Sequence, residues 1–365
     1  MRIRVLVVDD SVIVRKLVTE VLSSDPSIEV VGVAANGKIA LDKISQLNPD
    51  LVTLDIEMPV MDGLRTLAEI RRERPALPVI MFSTLTERGA SATLDALALG
   101  ATDYVTKPSN TGTLAASLEQ VRAELLPKVR CLGLRVVPTG KHHARASTRI
   151  APMRRSARLT RPDVVAIGVS TGGPNALAEV VPSLPGDLEA PVLIVQHMPP
   201  MFTRLLAERL NEVSEVEVEE AYDGAIVTNG RVWIAPGGHH MTVTREGTDV
   251  CVRLNQDPLE NWCRPAVDVL FRSIIDVYGS PVLAVVLTGM GQDGLRGCEG
   301  IVEAGGEVLI QDEATSVVWG MPGAVSAAGL ARRALPIAEI GKAIADEVRR
   351  PQRRLPSSGA TGFQA

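Results

Sequence analysis

The chain has 365 residues, too many for one comfortable domain and enough for two or three. Its 45% hydrophobic and 22% charged residues are the balance of a soluble globular protein, and no apolar run reaches the roughly 18 residues of a membrane span. The opening MRIRVLVVDD turns acidic too soon for a signal peptide, so a cytoplasmic chain without membrane insertion is expected.

Aromatics are only 3%, so Val, Leu, Ile and Ala must fill the cores, which suits buried parallel strands flanked by helices. Cys131, Cys251, Cys263 and Cys298 form no C-x-x-C pair and no metal-ligand spacing. They read as ordinary thiols of a reducing compartment. The net charge of −5 hides an asymmetry: residues 127–162 hold ten Lys/Arg and no Asp/Glu, leaving 28 basic against 43 acidic residues elsewhere. With Pro138, Gly140, Pro152 and Pro162 inside it, that segment reads as a linker. It is either a soluble spacer or a tether to an acidic face. Nucleic-acid binding is disfavoured because acidic flanking domains would repel phosphates.

In chain order, short apolar runs alternate with helical patterns. RIRVLVVDD, EVVGVAA, DLVTLDI, PVIMFS and DYVTKP are strand candidates. VIVRKLVTEVLSS, KIALDKISQL, LRTLAEIRRE, ASATLDALALG and TLAASLEQVRAELL, each following one of them, are helix candidates. This alternation predicts a doubly wound parallel sheet, whose ligands sit at the carboxyl ends of the strands. Those ends carry Asp9 and Asp10, Asp55, Ser83 and Lys107. Three carboxylates at one edge repel one another unless a cation lies between them, and Mg²⁺ prefers such oxygen ligands. A carboxylate beside Mg²⁺ can accept a phosphoryl group, which Ser83 and Lys107 could then hold.

VVDDS, LDIEMPVMDG and DYVTKP closely resemble the receiver domains of two-component response regulators, over residues 2 to about 122. The resemblance implies Asp55 as phosphoacceptor and a Mg²⁺ site of Asp9, Asp10, Asp55 and the Glu57 carbonyl. Ser83, Tyr104 and Lys107 are then the switch residues, and a histidine kinase is the phosphodonor.

After the basic segment, DVVAIGVSTGGPNALAEVV is a strand, a Gly-rich turn and a helix, with Pro174 suited to the first helical turn. Gly168 to Gly172 match G-x-S-x-G, a tight turn that exposes the Ser170 hydroxyl. A phosphate-cradling loop is the rival reading, and it lacks the Gly-Lys-Ser/Thr it would need. A serine nucleophile requires a base, and beyond the linker only His197, His239 and His240 are available. His197 ends the strand APVLIVQHM, whereas the strand VWIAPGG before His239 and His240 is less clearly part of the same sheet. PVLAVVLTGMGQDG ends in a Gly-rich turn carrying Asp293, which could orient the imidazole. The order Ser, His, Asp differs from that of α/β-hydrolases. Cys263 has no histidine near it in sequence and is read as structural.

GVSTGGP, VQHMPP, IAPGGHH, RPAVDVLF and LTGMGQDG together resemble the catalytic domain of chemoreceptor glutamate methylesterases. NWC, just before RPAVDVLF, carries no role that the resemblance assigns. The family implies Ser170 as nucleophile, His197 as base and Asp293 as its partner, with Thr171 and the Met290 region at the oxyanion site. The activity implied is phosphorylation-activated hydrolysis of glutamate γ-methyl esters on methyl-accepting chemoreceptors, with deamidation of receptor glutamines, and no cofactor for the hydrolysis itself.

The expected fold is α/β in two doubly wound domains: a (βα)5 receiver over 1–125 and a mainly parallel-sheet hydrolytic domain over 163–350. The linker is expected at 126–162 and a disordered tail at 351–365. Two other function classes differ in what they require. A binding module would leave the triad idle, and a fluorophosphonate probe tests that. A transcription factor would need a basic helix-turn-helix output domain, whereas this one is acidic and strand-rich.

Overall fold

The computed structural model describes residues 2–108, 114–133 and 161–350. The first part contains strands β1 (Ile3–Val8), β2 (Ile28–Ala34), β3 (Leu51–Asp55), β4 (Val79–Ser83) and β5 (Asp103–Thr106). Each is followed by a helix: α1 (Val12–Ser23), α2 (Gly37–Leu47), α3 (Gly63–Glu73), α4 (Glu87–Ala98) and α5 (Leu114–Gly133). Ser11, Asn36, Asp62 and Thr86 start the first four helices, each side chain accepting a backbone N–H of the opening turn. β3, β4 and β5 are buried throughout, as a sheet covered on both faces requires.

The strands are parallel in the order β2-β1-β3-β4-β5, so the order reverses between β1 and β3, where Asp9 and Asp55 lie. The expected domain end near residue 125 falls inside α5, which continues through Pro127 to Gly133. Val121, Leu125, Val129 and Leu132 are all buried, and α5 packs along α1 and β1. That apolar stripe carries the helix past a proline that reads locally as a stop. The rest of the basic linker, 134–160, and the tail, 351–365, lie outside the described residues.

The second part begins with β6 (Val164–Val169), α6 (Gly173–Val180), β7 (Val192–Gln196) and α7 (Phe202–Val213). Next come β8 (Glu217–Glu220), β9 (Arg231–Ile234), β10 (His240–Glu246) and β11 (Asp249–Asn255). They are followed by α8 (Val267–Tyr278), β12 (Val282–Val286), α9 (Leu295–Glu303) and β13 (Glu307–Gln311). The last are α10 (Met321–Ala327), β14 (Arg333–Leu335) and α11 (Ile337–Val348).

Seven of these strands form a parallel sheet in the order β14-β13-β12-β6-β7-β9-β8. The VWIAPGG strand, β9, belongs to it and pairs with β7. β10 and β11 form a separate antiparallel hairpin against α8. The central strands β6, β7 and β12 are buried at every position, and the chain leaves β6 toward opposite edges. The loops after β6, β7 and β12 therefore open at one place, the switch point of the sheet.

Candidate active site

Ser170 directly follows β6, and its N–H donates to the Thr288 carbonyl beyond β12 at 3.0 Å. The turn into α6 needs glycine twice. Gly172 has φ 77°, and a Cβ on Gly173 would sit 1.8 Å from Gln196 Oε1. His197 follows β7, its N–H donating to the Val169 carbonyl at 3.2 Å. The His197 Nε2 to Asp293 Oδ2 distance is 2.8 Å. Asp293 lies in the loop between β12 and α9, so the three predicted residues come together from neighbouring strands. Among the described residues, no hydrogen bond joins the Ser170 hydroxyl to the imidazole.

Asp293 is surrounded by donors. Oδ2 also accepts the Val267 N–H at 2.7 Å, and Oδ1 accepts the N–H groups of Asp268 (3.1 Å) and Gly294 (3.0 Å). Burial alone would raise its pKa, but His197 and the amides at the start of α8 hold it below the usual carboxylate value. Burial likewise opposes the charged form of His197. The Asp293 hydrogen bond and the nearby Cys263 thiol outweigh it and push the imidazole up to about 10.

Cys263, read from sequence as structural, thus lines the same cleft as His197 and favours its charged form, brought there by a turn that sequence separation conceals. A second unforeseen residue is Asn261, whose Nδ2 donates to Asp293 Oδ1 at 2.8 Å and to Asp268 Oδ2 at 2.9 Å. No spacing signal announces either contact. The only hint is the position of both residues just before RPAVDVLF.

A cleft of about 480 Å³ opens over these groups, lined by Ser170, Thr171, His197 and Trp262, and on its far wall by Tyr104 and Lys128 of the first domain. Thr171 is buried there, its carbonyl accepting the Thr288 hydroxyl at 2.9 Å. Met290 packs against the apolar cluster that includes Val318 and, from α5, Val121 and Leu125. The Tyr104 ring stacks on Phe202 with centroids 4.9 Å apart and planes 5° apart. Beside it, Arg209 on α7 reaches α4, contacting the Ser91 carbonyl (2.9 Å) and Asp95 (2.7 Å), and Arg204 pairs with Glu87 at 2.7 Å.

At the carboxyl edge of the first sheet, Asp9, Asp10 and Asp55 each offer an oxygen within 4.8 Å of the others. Lys107 Nζ lies 3.0 Å from Asp9 Oδ2 and 2.8 Å from Asp55 Oδ1. Asp55 Oδ2 is buried without a hydrogen-bond partner. Burial, then the charge of Asp9, push the Asp55 pKa up to about 6, against the pull of Lys107. An all-oxygen cluster with an unpartnered buried carboxylate atom fits a hard divalent cation. The adjoining cavity of about 270 Å³ is lined by Asp10, Asp55, Glu57, Ser83, Thr84 and Lys107, among others. The Glu57 side chain faces Arg88 at 3.5 Å. Ser83 Oγ donates to the Gly89 carbonyl at 3.0 Å and accepts the Thr93 hydroxyl at 2.6 Å.

Comparison with known proteins agrees with both halves. The CheB methylesterase family model matches residues 165–344, and the response regulator receiver domain model matches residues 5–119. A protein-glutamate methylesterase/protein-glutamine glutaminase of Trichodesmium erythraeum is 52% identical over 94% of this chain and 98% of its own. One of the same name from Nocardioides is 52% identical over 98% of this chain and 99% of its own. The crystal structure of the Thermotoga maritima CheB methylesterase catalytic domain is 42% identical. It covers 51% of this chain and 98% of its own, with a TM-score of 0.50. The chain belongs to the CheB methylesterase family, with a receiver domain joined to its catalytic domain.

Proposed function

We propose that this chain hydrolyses glutamate γ-methyl esters and glutamine side-chain amides in chemoreceptors, using Ser170 as nucleophile under control of Asp55 phosphorylation. The observation that carries the reading is the His197–Asp293 pair, whose members follow β7 and β12, the two strands that flank β6 and the Ser170 it presents. His197 takes the Ser170 proton as Oγ attacks the γ-carbonyl carbon, then gives it to the departing methoxide, which leaves as methanol. Water, deprotonated by the same imidazole, cleaves the acyl-serine and returns the carboxylate. With glutamine the leaving group is ammonia. Asp293 stays ionised and stabilises the imidazolium that forms. The backbone N–H groups of Thr171, in the Gly-rich turn that opens α6, and of the Met290 region, in the loop after β12, serve the oxyanion.

The receiver forms one wall of the cleft, so a macromolecular substrate reaches Ser170 only when that wall moves. Asp55 accepts a phosphoryl group from a chemotaxis histidine kinase. Asp9, Asp10, Asp55 and the Glu57 carbonyl would hold Mg²⁺, which would supply positive charge beside the phosphoryl oxygens. Ser83 and Lys107 then bind the phosphate oxygens, and rearrangement around Ser83 and Tyr104 loosens the contact with α7. Among the described residues no helix is long and apolar enough to cross a membrane. The enzyme works from the cytoplasm on receptor cytoplasmic segments.

The test is methanol release from methylated chemoreceptor membranes by the wild type and by Ser170→Ala. The variant is expected to lose activity by roughly a thousandfold or more while keeping its fold. Near-native release would remove Ser170 from the mechanism.

A further inference from the structure

Glu260 and Cys263 exchange both backbone hydrogen bonds, at 3.2 Å and 2.9 Å, across Asn261 and Trp262. These two central residues have φ of 51° and 64°, which makes the segment a tight turn with two left-handed positions. Asparagine tolerates that conformation, but tryptophan does so at a cost. The Trp262 side chain is 93% exposed, so its own packing does not explain the turn. The turn is pinned from below by a two-pronged ion pair between Glu260 and Arg272 on α8, with both distances 2.6 Å.

The turn aims the Asn261 side chain inward, onto two buried carboxylates. Its amide N–H groups go to Asp293 Oδ1 at 2.8 Å and Asp268 Oδ2 at 2.9 Å, and the two acids are only 3% and 1% exposed. The other Asp268 oxygen accepts the Gly297 N–H at 2.7 Å. Two buried carboxylates so close share a proton unless donors stabilise both charges. Lysine or arginine in this place would neutralise them and weaken the hold on His197. A primary amide has two N–H groups and no charge, so it can bridge both acids and leave Asp293 fully anionic toward the imidazole.

We propose that Asn261 is a positioning residue of the hydrolase, bridging Asp293 and Asp268 so that both remain ionised and Asp293 keeps its full charge and orientation against His197. The inference rests on the reading of Ser170, His197 and Asp293 given above. The titratable and charged groups around the bridge are His197 from β7, Glu260 and Cys263 from the turn, and Asp268 and Arg272 from α8. His240, at the start of β10, and Cys298 and Glu299 on α9 complete the set. Burial and the charge of Asp293 already raise the Asp268 pKa, while Asn261 works against that rise.

Asn261→Gly separates the amide from the turn, because glycine adopts both left-handed angles without strain. Without the bridge the acid pair retains a proton to higher pH, and His197 then faces a weaker anion. We expect kcat for methanol release by the full chain, with acetyl phosphate and Mg²⁺, to fall roughly ten- to hundredfold with little change in KM. The acid limb of the fluorophosphonate labelling rate at Ser170 should move to lower pH. Adding Asp268→Asn, which leaves one carboxylate in the pocket, should return that limb toward its wild-type position. An acid limb unmoved in a folded Asn261→Gly protein would overturn the proposal and reduce Asn261 to a turn former. Ser170→Ala, run alongside, tells two failures apart. If it remains active, the reading of the triad has failed; if it is inert while the limb stays fixed, this inference alone has failed.

Discussion

His197 is where the chemistry and the electrostatics pull in different directions. To serve as the proposed base for Ser170 the imidazole must be neutral, yet Asp293 and Cys263 both favour its charged form against the effect of burial. Raising the pKa makes the base stronger and its unprotonated fraction smaller at neutral pH. Turnover should therefore continue to climb as pH rises above neutrality, a trend that a pH–rate profile checks. Replacing Cys263 with alanine removes one of the groups favouring the imidazolium, so the acid limb of that profile should move to lower pH. The stability sign follows from the same shift. A histidine raised above its ordinary 6.5 contributes stability fully below that value and loses it as pH rises through the folded pKa. Neither Cys263 nor Asn261 is legible in sequence as a neighbour of the triad. Each reaches it through a turn whose geometry depends on the Glu260–Arg272 pair and on the placement of α8.

At the scale of elements, legibility follows the range of the forces involved. The five strand–helix repeats of the receiver, the strand before Ser170 and the strands before His197 and Asp293 all carry local apolar runs, with capped starts on α1 to α4 and Gly-rich turns before α6 and α9. Such signals survive reading one segment at a time. β9 is less legible, because its place in the sheet comes from pairing with β7 rather than from its own four residues. The continuation of α5 past Pro127 is also a packing effect, since burial of Val129 and Leu132 outweighs the local stop. The α4–α7 seam is a further element-scale feature. Arg209 there contacts both Ser91 and Asp95, but exposed ion pairs contribute only about 0.2–1 kcal/mol. Arg209→Ala should thus raise basal methanol release, without phosphodonor, by roughly two- to fivefold. Unchanged basal release would show that the seam does not restrain the enzyme. At the strand ends of the receiver, Mg²⁺ at about ten times its Kd should raise the receiver's Tm by about 5 °C, and Asp10→Asn should shrink the shift. Differential scanning calorimetry of the full chain reads both.

Across the whole molecule, the proposed function couples two switch points built on the same logic. One gathers Asp9, Asp10 and Asp55 with Lys107; the other gathers Ser170, His197 and Asp293. Between them lies a cleft with one wall from each domain, joined by the Tyr104–Phe202 stack and the arginine contacts of α7. Tyr104 sits three residues before Lys107 of the proposed phosphorylation site and stacks on Phe202 of the catalytic domain, so one ring adjoins both domains. The central claim is that phosphate on Asp55 relieves this closure. The most direct test measures methanol release from methylated chemoreceptor membranes, with and without acetyl phosphate and Mg²⁺, for the wild type and for Asp55→Asn. The account predicts release that rises with phosphodonor in the wild type and stays low in the variant. Equal release under both conditions by the wild type would contradict it.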